Sequence, residues 1–156
     1  NGIPGTKGLP HGRQVMSGAR QVDGSVLIID EEGGWAAISL AEHIHSLREV
    51  SAVTVITSER IFGESELTFT RELSEVTTRL RRDCINVIAD TVIDEVVANC
   101  AKTLSGEQFG PYDYIVLSTG TRSRPFPENA LAVGDCVAPR GIWAATHDSA
   151  VLARQI

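Results

Sequence analysis

The feature that most constrains the fold is a strand, a helix and a second strand within residues 26–57. The run VLII (26–29) is short, apolar and unbroken, which is typical of a central parallel strand covered on both faces. A second run of this kind, AVTVIT (52–57), follows after one helical stripe of apolar residues. That stripe consists of Ala37, Leu40, Ala41, Ile44 and Leu47. The pattern predicts a βαβ unit with a right-handed crossover.

The rest of the chain continues this alternation. A second helix is predicted near residues 69–82, and residues 85–104 are predicted to form a strand followed by a small antiparallel excursion. DYIVLSTG (113–120) and ALAVGD (130–135) are predicted strands. A last helix should present one stripe, formed by Ile142, Ala145, Ser149, Leu152 and Ile156. We therefore predict an α/β fold: a Rossmann-like parallel sheet with helices on both faces and a small antiparallel β excursion.

Charge and composition exclude several classes of function. The net charge of −6 provides no basic surface for nucleic acid, and no apolar run approaches the roughly 20 residues of a membrane span. The three cysteines are an odd number without a C-x-x-C pair, which argues against a disulfide framework and against a metal site. We expect no bound metal, no membrane partner and a reducing, cytoplasmic location.

The first loop of the βαβ unit lies where a dinucleotide-binding protein binds phosphate. Its sequence, IDEEGGW (29–35), provides Gly33 and Gly34, but Asp30, Glu31 and Glu32 stand where a first glycine belongs. Two interpretations remain open. The carboxylates stabilise the start of the helix and fill the protein's own anion site, or they turn outward and leave a modified nucleotide site.

The second half of a dinucleotide fingerprint is also altered. The acidic residue that holds an adenosine ribose should end the second strand, but Thr57 and Ser58 stand there, and Glu59 follows slightly late. Arg60 could suit a 2′-phosphate or be solvated. Trp35 could stack on an adenine or anchor the start of the helix.

Two short stretches near the C-terminus add to this picture. STG (118–120) ends one predicted strand, and VGD (133–135) ends the next, directly before a helix. Gly120 and Gly134 suit close approach of the backbone to a ligand or a neighbouring strand. Asp135 could accept hydrogen bonds from hydroxyl groups of a cofactor or cap the last helix.

These stretches form part of a wider resemblance. Four blocks occur in order: residues 3–18, residues 25–44 (which include the acidic loop) with 53–58, FTRELSEVTTRLRRD (69–83), and the segments 113–123 and 130–156. In them the chain resembles the C-terminal part of the trimethylamine dehydrogenase and 2,4-dienoyl-CoA reductase family of NADH:flavin oxidoreductases. The last block, with VGDCVAPRG (133–141), is the most specific. The acidic loop is most similar to the amine dehydrogenase branch.

The resemblance implies a domain plan and the cofactors of a parent enzyme. Residues 1–24 would be a linker from a preceding domain, 25–123 a small NAD(P)H-binding-like domain, and 124–156 the final strand and helix of an FAD-like domain. A flavin barrel with FMN and an iron–sulfur cluster would lie in the parent, outside this chain. Asp135 matches the position that contacts the flavin's sugar-alcohol chain in members with FAD, and ADP, FAD or NAD(P)H are the ligands to consider here.

The function implied is that of a nucleotide-binding-like domain of an amine dehydrogenase, without catalytic residues of its own. Its partners would be the flavin barrel, the FAD-like domain and an electron-transfer protein. The alternative is a working NAD(P)H- or ADP-binding domain of the dienoyl-CoA reductase type. The candidate cofactor-binding residues are Gly33, Gly34, Glu59, Gly120, Gly134 and Asp135.

Overall fold

The fold is described from a computed structural model that covers residues 2–120, 123, 127, 130–138 and 142–154. The chain divides into two compact units, Asn1–Thr119 and Gly120–Ile156. None of the helices in the described ranges is both long and apolar enough to cross a membrane.

The first unit is built on a four-stranded parallel sheet. The spatial order is β3-β2-β1-β7, in which β1 is Gly24–Asp30, β2 is Val50–Thr57, β3 is Asn86–Ile88 and β7 is Tyr114–Ser118. Central strand β1 is apolar on both faces and buried, as expected for an inner parallel strand. The predicted strands 26–29, 52–57 and 113–120 and the α/β fold class are confirmed.

One helix precedes β1, and three more lie in the connections from β1 to β2 and from β2 to β3. Helix α1 spans Gly12–Met16 and α2 spans Trp35–His45, and α2 buries the predicted stripe except for the half-exposed Leu47 beyond its end. The predicted helix near 69–82 is two helices, α3 (Glu64–Thr70) and α4 (Leu73–Arg82). The break has a backbone cause, because Arg71 adopts φ +64° and a left-handed residue cannot continue an α-helix.

The two faces of the parallel sheet are covered differently. Val26, Ile28 and Val55 point into a core with residues of α2 and α4. Leu27, Ile29, Ile56 and Ile115 point to the opposite face, where they meet the antiparallel excursion. In the first unit, helices therefore cover one face of the parallel sheet, and the small antiparallel sheet covers the other.

The excursion is a three-stranded antiparallel sheet in the order β4-β5-β6. Strands β4 (Ile93–Val97) and β5 (Cys100–Thr103) form a hairpin, and β6 is Gln108–Phe109. The two turn residues, Ala98 and Asn99, both have positive φ, as a two-residue hairpin turn that matches strand twist requires. The predicted excursion is confirmed.

The segment predicted as a linker, residues 1–24, packs on this unit. It contains α1, and its Val15 and Val22 side chains are buried in the helix-covered core. Its backbone also bonds to both sheets. Pro4 accepts a hydrogen bond of 2.9 Å from Val96 N–H, and Pro10 accepts one of 2.9 Å from Leu117 N–H.

In the second unit, a 3-10 turn at Gly134–Cys136 precedes helix α5, Ile142–Leu152. The predicted strand 130–135 is wrong. Residues 130–133 belong to no strand of the described part of the chain, although Val133 is extended, and Gly134 has φ +59°, which lies outside the extended region. The predicted stripe of α5 is also wrong over the described residues, since Ala144 is the buried position of the helix. Ile156 lies outside the described residues.

Candidate functional site

The candidate site is the edge of the parallel sheet where β1 ends. Strand β1 has β2 on one side and β7 on the other, so the strand order reverses there, as at the nucleotide crevice of a doubly wound fold. The last residue of β1, Asp30, is in register with Thr57 of β2 and Ser118 of β7. The loop 31–34 then leads into α2.

The Asp30 side chain stabilises the loop by hydrogen bonds. Its Oδ1 accepts hydrogen bonds from the backbone N–H groups of Glu32 (3.2 Å) and Gly33 (3.1 Å), and its Oδ2 accepts one from the Thr57 hydroxyl (2.8 Å). Only 2% of Asp30 is exposed. This carboxylate therefore fixes the turn and does not face a ligand.

The pKa of Asp30 is raised above its ordinary value of 3.8. Burial is the largest cause, because it disfavours the charged form, and the negative charge of Glu59 acts in the same direction. The hydrogen bonds from Gly33, Thr57 and Glu32 oppose the shift, since they stabilise the carboxylate. Burial prevails over these bonds.

Two more carboxylates reach the loop from the segment that follows β2. Glu66 Oε2 accepts a hydrogen bond of 2.9 Å from Trp35 N–H, the first backbone amide of α2. Glu59 accepts hydrogen bonds from the N–H groups of Gly63 (2.7 Å) and Ser65 (2.8 Å), which are at the start of α3. The Ser65 hydroxyl in turn donates to the carbonyl of Gly33.

The two loop glycines are pressed against these carboxylates. Gly33 has φ +62°, and a Cβ built on it would overlap the carboxyl group of Glu59. Gly34, the N-cap of α2, has extended backbone, and a Cβ there would overlap Glu66 Oε2. Both glycines are buried. They thus permit close approach of an anion to the backbone, and the anion present is the protein's own.

The structure brings together three of the six candidate residues, namely Gly33, Gly34 and Glu59. The other three belong to the second unit. Gly120 has φ +61°, and Gly134 lies so near α5 that a Cβ on it would overlap Ala145. The N–H of Gly134 donates to Asp148 (3.2 Å), and the carbonyl of Asp135 accepts from the Ser123 hydroxyl (2.9 Å). Gly134 therefore packs against helix α5, whereas the prediction named a ligand or a neighbouring strand.

The loop's own carboxylates do not occupy the anion site at the start of α2. Of its three carboxylates, Asp30 is buried under the turn, whereas Glu31 and Glu32 are exposed. The carboxylate bonded to the start of α2 is instead Glu66, 31 residues further along than Trp35. No periodic signal in the sequence marks Glu66 or Ser65 as contacts of the loop.

The phosphates of a dinucleotide do not fit this loop as it is arranged. In a Rossmann site they approach the glycines and the first amides of the helix, where Glu66 and Glu59 now lie. Two like charges about 4 Å apart repel by about 4 kcal/mol at an effective dielectric constant of 20. A phosphate could enter only if Glu66 moved.

Other groups offer little chemistry. Trp35 is half-buried and packs against the helix-covered core, which favours its role as an anchor of α2. Within the described ranges, no three His, Cys, Asp or Glu side chains come together as a metal site. Cys84 and Cys136 are exposed free thiols, and Cys100 is a buried one.

Comparisons with known proteins give a fold but no close relative. No protein-family model and no curated protein sequence matches the chain. Among solved structures, 6-hydroxypseudooxynicotine amine oxidase (HisD) from Pseudomonas geniculata N1 is 22% identical, with a TM-score of 0.79 over 94% of this chain. Histamine dehydrogenase from Rhizobium sp. 4-9 is 15% identical, with a TM-score of 0.79 over 99%.

A third structure, a 2-naphthoyl-CoA reductase in complex with 2-naphthoyl-CoA, is 18% identical with a TM-score of 0.72 over 95% of this chain. The chain corresponds to 24%, 27% and 24% of these three proteins, in the order given, so it spans about a quarter of their length. The resemblance predicted from the four sequence blocks is confirmed by this shared fold. The chain shares its fold with a part of each of these three proteins.

Proposed function

We propose that the chain is the nucleotide-binding-like domain of a larger flavin-dependent oxidoreductase of the amine dehydrogenase type, and that it is not catalytic alone. Its fold is shared with an amine oxidase and a histamine dehydrogenase, each about four times its length. In such a parent, FMN and an iron–sulfur cluster would belong to a barrel domain. The barrel and the FAD-like domain would then be this chain's partners.

One observation carries the proposal: Glu66 accepts the hydrogen bond of Trp35 N–H at the start of α2. A domain that delivers hydride from NAD(P)H must bind the pyrophosphate at this point. Here a carboxylate of the chain holds the position. Electrons would therefore leave the flavin for another protein and would not arrive from a nicotinamide bound here.

The test compares electron donors on the parent enzyme. The reading frame that includes this chain should encode a barrel with a four-cysteine cluster, and the purified protein should contain flavin. Under anaerobic conditions, an aliphatic or aromatic amine should bleach the flavin spectrum, whereas NADH and NADPH should not. Rapid bleaching by NADH would overturn the proposal, as would NADH oxidation by the isolated chain.

A second candidate is a working NAD(P)H- or ADP-binding domain of the dienoyl-CoA reductase type. The observation in its favour is the backbone of the loop, since Gly33 keeps φ +62° and Gly34 still caps α2. Calorimetric titration of the chain with NADH, NADPH, ADP and FAD separates the two candidates. Micromolar binding of NADH would favour the second, and heats that match dilution would favour the first.

A further inference from the structure

The residues around the glycine loop do not fit a bound dinucleotide, because side chains from the segment after β2 lie where its phosphates would bind. We infer that this segment, residues 59–66, is an internal plug: Glu66 occupies the phosphate position of the crevice, and Glu59 holds the segment there. The latent ligand class is a nucleoside diphosphate or pyrophosphate. The inference extends the proposed function, but it is decided by a different comparison.

Glu66 takes the place of an external anion at the start of α2. The N-terminal amides of a helix carry unsatisfied donors and a partial positive charge, which together attract an anion. At α2 the anion is the Glu66 carboxylate, 2.9 Å from Trp35 N, and it lies where a side chain on Gly34 would have to be. The glycine that makes room for phosphate in a working site therefore makes room for Glu66 here.

Hydrogen bonds from Glu59 and Ser65 hold the plug against the loop. Glu59 accepts hydrogen bonds from the backbone N–H groups of Gly63 and Ser65. It therefore fixes the start of α3, the helix that carries Glu66. The Ser65 hydroxyl donates to the Gly33 carbonyl and joins the start of α3 directly to the loop. Glu59 and Ser65 are positioning residues, while Glu66 is the occupant.

The loop's own acidic side chains do not occupy the phosphate position. Glu31 and Glu32 are exposed, and Asp30 accepts hydrogen bonds from two loop amides and the Thr57 hydroxyl. A tethered carboxylate competes with free ligand at a high effective concentration. Removal of Glu66 should therefore open the site, whereas neutralisation of the exposed loop acids should change little.

The experiment compares Glu66→Ala with Glu64→Ala in the full chain. Both variants remove one negative charge from α3, but Glu64 pairs with the exposed Arg60 (3.2 Å) and has no bond to the loop. Glu66→Gln tests charge separately, because its amide oxygen still reaches Trp35 N–H. Each protein is titrated by calorimetry with inorganic pyrophosphate, ADP and NADH, and amide hydrogen exchange is measured at Trp35.

We expect Glu66→Ala to bind pyrophosphate and ADP at least tenfold more tightly than the wild type, roughly 1.4 kcal/mol. Trp35 amide exchange should be faster in that variant, and Glu64→Ala should match the wild type in both measurements. The inference is overturned if Glu66→Ala gains no affinity or if Glu64→Ala gains as much. Should Glu66→Ala fail to fold, Glu66→Gln must still gain affinity over Glu64→Gln. NADH binding by the wild type bears on the proposed function instead.

Discussion

The hydroxyl of Thr57 donates a hydrogen bond of 2.8 Å to the carboxylate of Asp30, and the two residues are direct partners in the β1–β2 ladder. Thr57 is 1% exposed and Asp30 is 2% exposed, so the bond is shielded from water. The same hydroxyl accepts the Glu59 N–H at 3.2 Å. One threonine thus joins the turn after β1 to the segment that carries the plug.

Thr57→Val should lower the free energy of unfolding by about 1–3 kcal/mol, because it leaves a buried carboxylate short of one donor and the Glu59 amide short of its acceptor. Urea denaturation followed by circular dichroism measures the change. Thr57→Ser keeps the hydroxyl and should cost less than Thr57→Val. A Val variant as stable as the wild type would contradict the role given to this bond.

The Asp30 carboxyl should make stability fall as the pH rises. Its pKa in the folded chain is above 3.8, so between 3.8 and the folded pKa the folded state binds more protons than the unfolded chain. The contribution is most favourable below that window and is lost across it. The free energy of unfolding of each protein is measured by urea denaturation from acidic to neutral pH. The value for the wild type minus the value for Asp30→Asn should decrease as the pH rises. A constant difference would contradict the shift.

Asp113 should have the opposite effect. Its Oδ2 accepts hydrogen bonds of 2.7 Å from both the N–H and the hydroxyl of Ser25, and the backbone bond is the larger cause of a pKa below 3.8. Its contribution is present above pH 3.8 and is lost as the pH falls through the folded pKa. The stability advantage of wild type over Asp113→Asn should therefore shrink at acidic pH. An advantage that grew with acidification would exclude this pairing.

Gly5→Ala should destabilise the chain more than Gly8→Ala. Both glycines have positive φ, +80° and +90°, so alanine costs about 1–2 kcal/mol of backbone strain at either position. A Cβ on Gly5 would also overlap the carbonyl of Val96, whereas a Cβ on Gly8 meets nothing within 4 Å. We expect an additional cost of about 1–3 kcal/mol at Gly5 in thermal or urea unfolding. Equal effects would show that residues 1–10 do not pack on β4 in solution.

The sequence predicted the parts of the fold that have regular periodicity. Strands β1, β2 and β7 are apolar on both faces, and α2 carries a stripe at helical spacing, so their positions follow from local patterns. The break between α3 and α4 was missed because Arg71, which takes a left-handed conformation, is not a residue type that signals one. The predicted strand at 130–135 failed because apolar composition alone does not provide a partner strand.

The candidate site was predicted only in part. Gly33 and Gly34 can be recognised in the sequence because they lie between a predicted strand and a predicted helix. The contact from Glu66 to Trp35 joins residues 31 positions apart, with α2, β2 and the segment after β2 between them, and no spacing rule relates them. Its detection required the position of α3, which depends in turn on the Glu59 bonds to Gly63 and Ser65.

The pairing of β7 with β1 also determines when the sheet can be completed during synthesis. Asp30 is in register with Ser118, and the Ser118 carbonyl accepts a hydrogen bond from Glu31 N–H, so β1 lacks one of its two neighbours until 88 further residues have been made. The β4–β5 hairpin, by contrast, closes through a two-residue turn as soon as it emerges. On the ribosome, the βαβ unit and the hairpin can therefore form early, while an inner strand edge stays open to misplaced pairing until the chain reaches Ser118.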